Sequence, residues 1–518
     1  MAYSSGPIIL RRNIMILELD RESRIPLYLQ VVAQIRDLIS HGALKIGDRL
    51  PANRELAELL GVNRTTISNA YAELEADGLI TSHVGRGTFV SAVPQKREQS
   101  VPTLVSPIVW DSLLADQKGD IWLSRLLHSQ HRKDTISFAY GLPQAELFPV
   151  DEFRRCVDRA LRRDGRNLLQ LGNSNGYEPL RETLSSQLAA SGIKAKPDEI
   201  LITNGCQQSL DLIQKVFVGP GDEVVLENPT YPGALSVFCG SSASKFIGVP
   251  MTDRGMDFDA LEDIFPRRRP KFLYTVPTYQ NPTGVTMDLA ARQRLLSLAV
   301  KYRVAIIEDD IYSELRYDGP MLPSLKALDE HGVVISISSF SKVGFPGLRV
   351  GWIVAPRAVI EHLSVAKQHC DLHASLLTQA AVYEFSRHGL LQKHIKRVRR
   401  AYSNQRDAML KAMEKHFPAE AKWTRPAGGM AVWVSLPSTL NADEVLVHAA
   451  ENGVIFSPGS HFYSSSPQLN MMRLCFTMAN PVMIEEGIRR LGAVIKARMM
   501  SHKKQRAHRK AEGYRALV

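Results

Sequence analysis

The chain has 518 residues, too many for one hydrophobic core, so two or three domains are expected. Hydrophobic residues make up 44% and charged residues 23%, which is ordinary for a globular protein and excludes disordered and fibrous classes. The formal net charge of +11 favours an acidic partner. Part of this excess lies in a basic tail, residues 499–518, which is either a solvated terminus or an auxiliary phosphate contact.

Cysteine usage and the N-terminus bear on the compartment. The five cysteines lie far apart without a CxxC pair, which favours reduced thiols and implies no metal site. The N-terminal extension, residues 1–24, mixes arginines and acids around a short apolar run, unlike a signal peptide. No apolar run approaches the ~18 residues of a membrane helix. These features predict a cytoplasmic protein without a membrane partner.

Residues 25–91 predict a small helical domain with a β wing. The stretch LYLQVVAQIRDLIS repeats apolar residues at helical spacing. The stretch PANRELAELLGVNRTTISNAYAELEADG then predicts a helix, a tight turn at Gly61 and a second helix capped by Asn63. This is helix-turn-helix spacing, and LITSHVGRGTFV predicts two wing strands. The expected shared core is Leu56, Leu59, Val62, Ile67, Tyr71 and Leu74.

The second helix of this motif predicts a DNA-reading surface, because its first two turns can enter the major groove. The stretch resembles the winged helix of the GntR family, in which the counterparts of Arg54, Arg64 and Thr66 contact DNA and that of Gly85 lets the wing approach the minor groove. Many relatives carry an arginine where this chain has Ser68, so the operator preference stays open. The alternative is a three-helix module that touches no nucleic acid. The expected DNA-contacting residues are Arg54, Arg64, Thr65, Thr66, Ser68, Gly85 and Arg86.

The rest of the chain predicts a linker and a second, larger domain. Residues 92–135 predict an interdomain linker with one helix around IWLSRLLHSQ. Over residues 136–498, strand-like runs alternate with helical segments, which predicts an α/β sheet covered by helices on both faces. The runs are EILITNG, EVVLENP, KFLYTVP, VAIIEDD, VVISISSFSK and RVGWIVAP. Past about residue 370, long helical patterns and the runs GGMAVWVSL and MMRLCFTM predict a smaller α+β lobe.

The segment SFSKVGFPGLRVGW places Lys342 after a predicted strand. A lysine amine at a strand end can form a Schiff base with an aldehyde cofactor if its pKa is lowered. By itself, a surface lysine would be the simpler interpretation. A second motif, ITNGCQQSLDL, sets a glycine between a strand and a helix, so that the amides of Gly205, Cys206 and Gln207 form an anion cradle. The residues expected to converge on this cradle are Ser339, Ser341 and Arg349.

Three further motifs place chemically useful side chains at strand ends. In YTVPTYQNPTG and IIEDDIYSEL, Asn281 and Tyr312 could both reach a phenolic oxygen. Asp309, in the second motif, could keep a pyridine nitrogen protonated and the ring an electron sink. ENPTYPG offers Tyr231 as a flat face for a ring. Each motif alone is explained by loop chemistry, but five in this order predict one cofactor pocket.

Residues 136–495 resemble fold-type I pyridoxal 5′-phosphate enzymes, the aspartate aminotransferase superfamily. The resemblance implies that Lys342 carries the cofactor as a Schiff base. It also implies that Arg473, in MMRLCF, binds a ligand's α-carboxylate, although a salt-bridged core arginine is the alternative. The other implied roles are Asp309 on the pyridine nitrogen, Asn281 and Tyr312 on the phenolic oxygen, Tyr231 on the ring, and Gly205, Cys206, Ser339, Ser341 and Arg349 on the phosphate.

The fusion of a GntR winged helix with an aminotransferase-like domain resembles the MocR subfamily of bacterial regulators over nearly the whole chain. Members are typically head-to-tail dimers, in which each DNA-binding domain rests on the partner's aminotransferase-like domain. One departure is Leu171, which stands where relatives have a tyrosine that reaches the neighbouring subunit's phosphate. That replacement weakens the case for efficient turnover.

Two functions share the same pocket residues. The first is a regulator of a double-stranded operator, whose pocket senses pyridoxal phosphate or an amino or carboxylate effector by favouring one domain arrangement. The second is an aminotransferase that carries a DNA-binding domain. The winged helix, which has no role in transamination, and Leu171 favour the first, with residual transaminase half-reactions. A third interpretation, a regulator without cofactor, is disfavoured by the retained Lys342, Asp309, Asn281 and Arg349.

Overall fold

The structure is a computed structural model in which two compact units, residues 1–114 and 115–518, can be distinguished. The division between them falls inside the predicted linker. The wing residues Gly85 and Arg86 and the predicted linker helix lie outside the described residues. The residues described are 9–10, 13–14, 17, 19–20, 26–40, 43–83, 87–91, 134–240 and 245–515.

The N-terminal unit has the predicted helix-turn-helix and wing strands. Strands β1 and β2 pair antiparallel, and β5 lies between β3 and β4 in an antiparallel sheet. The elements are β1 (Ile9–Leu10), β2 (Asn13–Ile14), α1 (Leu27–Ser40), β3 (Arg49–Leu50), α2 (Asn53–Leu60), α3 (Arg64–Ala76), β4 (Ile80–His83) and β5 (Gly87–Val90).

The turn between α2 and α3 depends on two residues that the sequence singles out. Gly61 has a φ of 60°, in the left-handed region that glycine adopts without strain, and it ends α2. The Oδ1 atom of Asn63 accepts a hydrogen bond of 3.2 Å from the Thr65 amide, which satisfies a free N–H of the first turn of α3. The predicted turn and cap are confirmed.

One prediction about the core of this unit is wrong. Leu59 is 39% exposed, because the buried stripe of α2 is formed by Leu56 and Ala57 with Leu60 packed beside them, and Leu59 falls outside that stripe. Val62 is half-buried at the edge of the core. The predicted core residues that are buried as expected are Leu56, Ile67, Tyr71 and Leu74.

The C-terminal unit alternates strands and helices as predicted. Its helices are α4 (Val150–Leu168), α5 (Glu178–Ala190), α6 (Cys206–Phe217), α7 (Pro232–Gly240), α8 (Phe258–Arg268), α9 (Leu289–Tyr302), α10 (Leu325–Leu328), α11 (Arg357–Asp371), α12 (Leu376–Arg387), α13 (Leu390–His416), α14 (Ala442–Glu451) and α15 (Pro481–Arg515). Its strands are β6 (Ile136–Ser137), β7 (Ile200–Thr203), β8 (Glu223–Asn228), β9 (Lys245–Thr252), β10 (Gly255–Met256), β11 (Phe272–Thr275), β12 (Ala305–Asp309), β13 (Val334–Ser339), β14 (Gly351–Val354), β15 (Lys422–Trp423), β16 (Ala431–Ser435), β17 (Val454–Ile455), β18 (Ser457–Pro458) and β19 (Met471–Cys475).

The central sheet has eight strands in the order β10-β9-β8-β11-β12-β13-β14-β7. Strands β9, β8, β11, β12 and β13 run parallel, and β14 is antiparallel to both β13 and β7. Strand β7 therefore runs in the direction of β13. The carboxyl ends of β7, β8, β11, β12 and β13 meet at one edge of the sheet, which is where ligands bind in open α/β folds.

Apolar side chains cover both faces of this sheet. Along β13, Ile335 and Ile337 join one core cluster, whereas Val334 joins a second cluster with residues of α8 and α9. This alternation follows from the two-residue period of a strand, and it confirms the prediction of helices on both faces. The sequence did not predict β9, whose apolar run is interrupted by Gly248 and Pro250.

The predicted smaller lobe contains an antiparallel sheet in the order β15-β16-β19-β18. Helix α15 runs without interruption from Pro481 to Arg515, past the expected start of the basic tail at residue 499. No helix within the described ranges is both long and apolar enough to cross a membrane.

Candidate functional site

The strand ends at one edge of the central sheet carry the residues singled out in the sequence. Gly205 follows β7, Tyr231 follows β8, Asn281 lies in the loop after β11, Asp309 ends β12 and Lys342 follows β13. A cavity of about 350 Å³ opens at this edge. The predicted residues that line it are Gln207, Tyr231, Asn281, Tyr312, Lys342 and Arg473.

Lys342 points into this cavity with its amine held by the backbone. Its Nζ atom donates a hydrogen bond of 2.7 Å to the carbonyl oxygen of Gly141. Burial lowers the pKa of Lys342 to about 8, because removing an ammonium from water disfavours its charged form. A larger fraction of the amine is therefore neutral, and nucleophilic, near pH 7 than for an exposed lysine.

Asp309 is buried at the end of β12 and is not itself among the residues that line this cavity. Its Oδ2 atom accepts a hydrogen bond of 2.9 Å from the Tyr274 hydroxyl, and its buried Oδ1 atom has no partner among the described residues. Burial raises the pKa of Asp309 to about 7. A buried carboxylate oxygen without a donor is costly, so this atom is suited to a donor on a bound molecule.

A glycine leaves room for the Arg349 guanidinium beside the candidate anion cradle at the start of α6. Gly205 has a φ of 86°, and a Cβ atom there would approach the Arg349 Nη2 atom to 2.7 Å. That guanidinium donates a hydrogen bond of 3.0 Å to the carbonyl oxygen of Asn204. Cys206 begins α6, so free amides of its first turn face the region of Arg349.

The amide of Ser341 donates to the Ser339 Oγ atom at 3.2 Å, and both serines are buried.

The opposite wall of the cavity holds Arg473. Its Nη1 atom donates to the Oδ1 atom of Asn281 at 2.8 Å, and its Nη2 atom donates to the carbonyl oxygen of Ala139 at 2.7 Å and to the Ser457 hydroxyl at 3.3 Å. All of these acceptors are neutral, and Arg473 forms no ion pair with a carboxylate of the described residues. The arrangement therefore differs from the salt-bridged core arginine that was the alternative.

Two aromatic side chains complete the wall. Tyr312 is 8% exposed and follows Asp309 in the loop after β12. The Tyr231 hydroxyl lies 3.4 Å from the Oε1 atom of Gln207, to which it donates. The Gln207 Nε2 atom donates to the carbonyl oxygen of Gly233 at 3.1 Å, so this side chain ties the start of α6 to the start of α7.

Sequence reasoning missed the residues that support the predicted ones. Tyr274, which donates to Asp309, pairs in register with Ile307 on the neighbouring strand. Ile307 lies two positions before Asp309, so both side chains project from the same face of the sheet. The motif KFLYTVP contained this tyrosine, but the signal required the register between β11 and β12. Gly141, the partner of Lys342, comes from a segment that the motifs did not include.

The N-terminal unit presents a different kind of surface. Arg64, Thr65 and Ser68 are exposed on the first turns of α3, opposite its buried face, and Thr66 is half-buried. Arg54 is exposed on α2, where its Nε atom lies 3.1 Å from the Glu58 carboxylate. These side chains are arranged for contact with a flat or grooved polar partner.

Comparison with known proteins assigns both units to families. Residues 27–90 match the family described as bacterial regulatory proteins, gntR family, and residues 139–491 match aminotransferase class I and II. The probable rhizopine catabolism regulatory protein MocR of Rhizobium meliloti is 31% identical over 92% of this chain and 95% of its own length. The chain belongs to the MocR subfamily of GntR-type regulators.

Some relatives of this MocR-subfamily chain cover about three quarters of it. The 2-aminoadipate transaminase of Thermus thermophilus is 41% identical over 76% of this chain and 98% of its own length. The crystal structure of LysN, an α-aminoadipate aminotransferase from Thermus thermophilus complexed with N-(5′-phosphopyridoxyl)-L-leucine, covers 75% of this chain and 99% of its own with a TM-score of 0.70 and 39% identity. The predicted fold-type I domain and its cofactor, pyridoxal 5′-phosphate, are confirmed.

Proposed function

We propose that this MocR-subfamily regulator uses the pocket around Lys342 to hold pyridoxal phosphate and to sense an amino compound. The observation that carries the proposal is the pairing of a desolvated amine with a buried carboxylate oxygen that lacks a donor, in a chain that also carries a GntR winged helix. The first two groups suit the cofactor's aldehyde and its pyridine N–H. The winged helix would connect the state of the pocket to DNA binding.

The residues present fit the cofactor. The Oδ1 atom of Asp309 needs a donor, and Gly205 lets the Arg349 guanidinium approach the start of α6, where any side chain would collide with it. When bound, pyridoxal phosphate supplies an aldehyde that reacts with amines and a protonated pyridine ring that withdraws electrons. Lys342 would hold the aldehyde carbon, and Asp309 would accept the pyridine N–H. The proposed supporting residues are Asn281 and Tyr312 on the phenolic oxygen, Tyr231 on the ring, and Gly205, Cys206, Gln207, Ser339, Ser341 and Arg349 around the phosphate.

Arg473 would orient the effector. Its Nη1 and Nη2 atoms donate to neutral acceptors, which a carboxylate can replace with a stronger, charge-assisted interaction. A carboxylate at this position would compete with Ala139 and Asn281 for the guanidinium, and so would alter the Asn281 side chain. An amino compound with a carboxylate is therefore the effector class that this pocket favours.

The DNA partner would be read by α3. Arg64, Thr65, Thr66 and Ser68 would enter the major groove, and Arg54 would exchange its ion pair with Glu58 for a phosphate contact. By the family resemblance, Gly85 and Arg86 would reach the adjacent minor groove.

We further propose a head-to-tail homodimer in the cytoplasm. Three leucines of the C-terminal unit support an interface: Leu169 and Leu171 are each 76% exposed and Leu372 is 59% exposed. Contiguous exposed apolar surface marks a contact with a partner, and the proposed dimer would cover these three side chains. By the family resemblance, Leu171 stands where a tyrosine would reach the neighbouring subunit's phosphate.

The alternative function is an aminotransferase that carries a DNA-binding domain, and the 41% identity to a transaminase favours it. The deciding experiment starts by sequencing the DNA that co-purifies with the protein. Operator affinity is then measured by fluorescence anisotropy while amino acids are added one at a time, with cofactor absorbance recorded in parallel. Sensing predicts that a compound that changes the absorbance also changes operator affinity. Steady multiple turnover with a keto acid, without any effect on DNA affinity, would instead establish the enzyme.

A further inference from the structure

Outside the cavity, one carboxylate accepts hydrogen bonds from residues on both sides of Gly205, in the candidate anion cradle. Asp371 is the last residue of α11. Its Oδ2 atom accepts from the Asn204 Nδ2 atom at 2.6 Å and from the Gln208 Nε2 atom at 2.7 Å. Its Oδ1 atom accepts from the Lys367 Nζ atom at 2.7 Å. One side chain therefore connects α11 to the residue before Gly205 and to the first turn of α6.

The two amides held by this carboxylate are themselves part of the cradle's frame. Asn204 accepts the Arg349 Nη2 hydrogen bond through its carbonyl oxygen at 3.0 Å. The backbone N–H of Asn204 donates to the Gln208 Oε1 atom at 2.7 Å. The position of the Asn204–Gly205 peptide and the position of Arg349 are thus linked to the same carboxylate. Any rotation of the Asn204 side chain away from Asp371 would change both.

The three donors around Asp371, one of them a buried ammonium, require a charged acceptor. The Lys367 side chain is 0% exposed, and burial lowers the pKa of its ammonium, which the Asp371 carboxylate counteracts. A carboxylate only accepts hydrogen bonds, so it satisfies three N–H donors at once. An asparagine in its place would present an N–H group to at least one of these donors, and would leave a buried ammonium without its counter-charge.

We propose that Asp371 is a positioning residue that sets the phosphate cradle at the start of α6. This inference rests on the proposed function of that cradle. Asp371 is not among the residues that line the cavity, so it would act through Asn204, Gln208 and Arg349 and not by touching the cofactor. Its effect should then depend on the phosphate group of the ligand, and the ring and aldehyde should be bound as before.

The experiment compares two ligands that differ only in the phosphate. Cofactor-free full-length protein is titrated with pyridoxal phosphate and with pyridoxal, and the absorbance of the lysine-bound form gives each dissociation constant. For Asp371→Asn we expect pyridoxal phosphate to bind about tenfold more weakly, and pyridoxal to bind within about twofold of its normal affinity. The matched control is Asp211→Asn, which removes another Lys–Asp pair from the same unit, between Asp211 and Lys215 on α6 (2.7 Å), and should change neither constant.

A second variant separates positioning from stability. Lys367→Met combined with Asp371→Leu removes the buried ammonium together with its partner, a replacement that proteins often tolerate, and leaves no acceptor for the Asn204 and Gln208 amides. It should show the same selective loss of pyridoxal phosphate affinity. Equal weakening of both ligands, unchanged affinity for pyridoxal phosphate, or failure of both variants to fold would overturn the proposal. If the unmodified protein shows no lysine-bound absorbance at all, the proposed function fails, and not the role of Asp371 alone.

Discussion

The two units treat their functional side chains in opposite ways. In the N-terminal unit, Arg64 and Ser68 stand in solvent on the first turns of α3. In the C-terminal unit, Asp309 is 3% exposed. Burial raises the pKa of Asp309 to about 7 and lowers the pKa of Lys342 to about 8. DNA comes to the surface of a protein, so its contacts must be exposed, whereas Schiff-base chemistry needs an amine and a carboxylate with altered proton affinity. The comparison suggests that each unit can be disabled without the other.

The largest expected effect is the loss of cofactor attachment in Lys342→Ala. The variant should lack the absorbance band at roughly 410 to 430 nm that is typical of a lysine-bound cofactor, and borohydride should fix no cofactor to it. Its operator affinity without effector should stay within about twofold of the original, because α3 is unchanged. Lys301→Ala, which alters an exposed lysine of α9, is the control and should label normally. Borohydride labelling of Lys342→Ala would place the attachment elsewhere.

The complementary change is Arg64→Ala. Loss of a contact to a base or phosphate costs about 1 to 3 kcal/mol, so operator affinity should fall roughly 5- to 150-fold. The cofactor absorbance should not change. The control Arg267→Ala removes another exposed arginine, from α8, and should leave operator affinity intact. An unchanged operator affinity in Arg64→Ala would remove Arg64 from the DNA interface.

The buried amine makes a pH prediction for the C-terminal unit. Only the neutral amine attacks an aldehyde, and the pKa of Lys342 is lowered to about 8. The rate of cofactor attachment should therefore rise about tenfold per pH unit from pH 6 to 7 and level off above about pH 8. Stopped-flow absorbance with excess pyridoxal phosphate measures this rate. A rise that continues to pH 10 would mean that the lysine has its ordinary pKa.

The smallest expected effect concerns Leu171. By the family resemblance, Leu171→Tyr would restore a hydroxyl directed to the neighbouring subunit's phosphate, and one hydrogen bond contributes about 1 kcal/mol, so pyridoxal phosphate should bind about fivefold more tightly. Leu169→Tyr is a closely matched control, since both leucines are 76% exposed. Equal effects of the two tyrosines would show that the position does not face a phosphate.

Much of this molecule could be predicted because its signals are local. The turn at Gly61, the cap at Asn63 and the strands that precede Gly205, Asp309 and Lys342 are each specified within about ten residues. Local preferences of this kind act on neighbours in the chain, so they can be recognised without knowing the fold. The exception in the N-terminal unit, Leu59, is exposed because the edge of a helical stripe depends on what packs against it.

The sequence by itself determined the order of the two units, the strand-end positions of the pocket residues and the family resemblance. Only the tertiary structure decided which distant side chains meet. Arg473 donates to Asn281, 192 positions away in the chain. Asp371 accepts hydrogen bonds from Asn204, between β7 and α6, and from Gln208 on α6. Tyr274 reaches Asp309 through the register of two strands. Such contacts depend on sheet order and helix packing. No local pattern encodes these, because many contacts between distant parts of the chain fix them together.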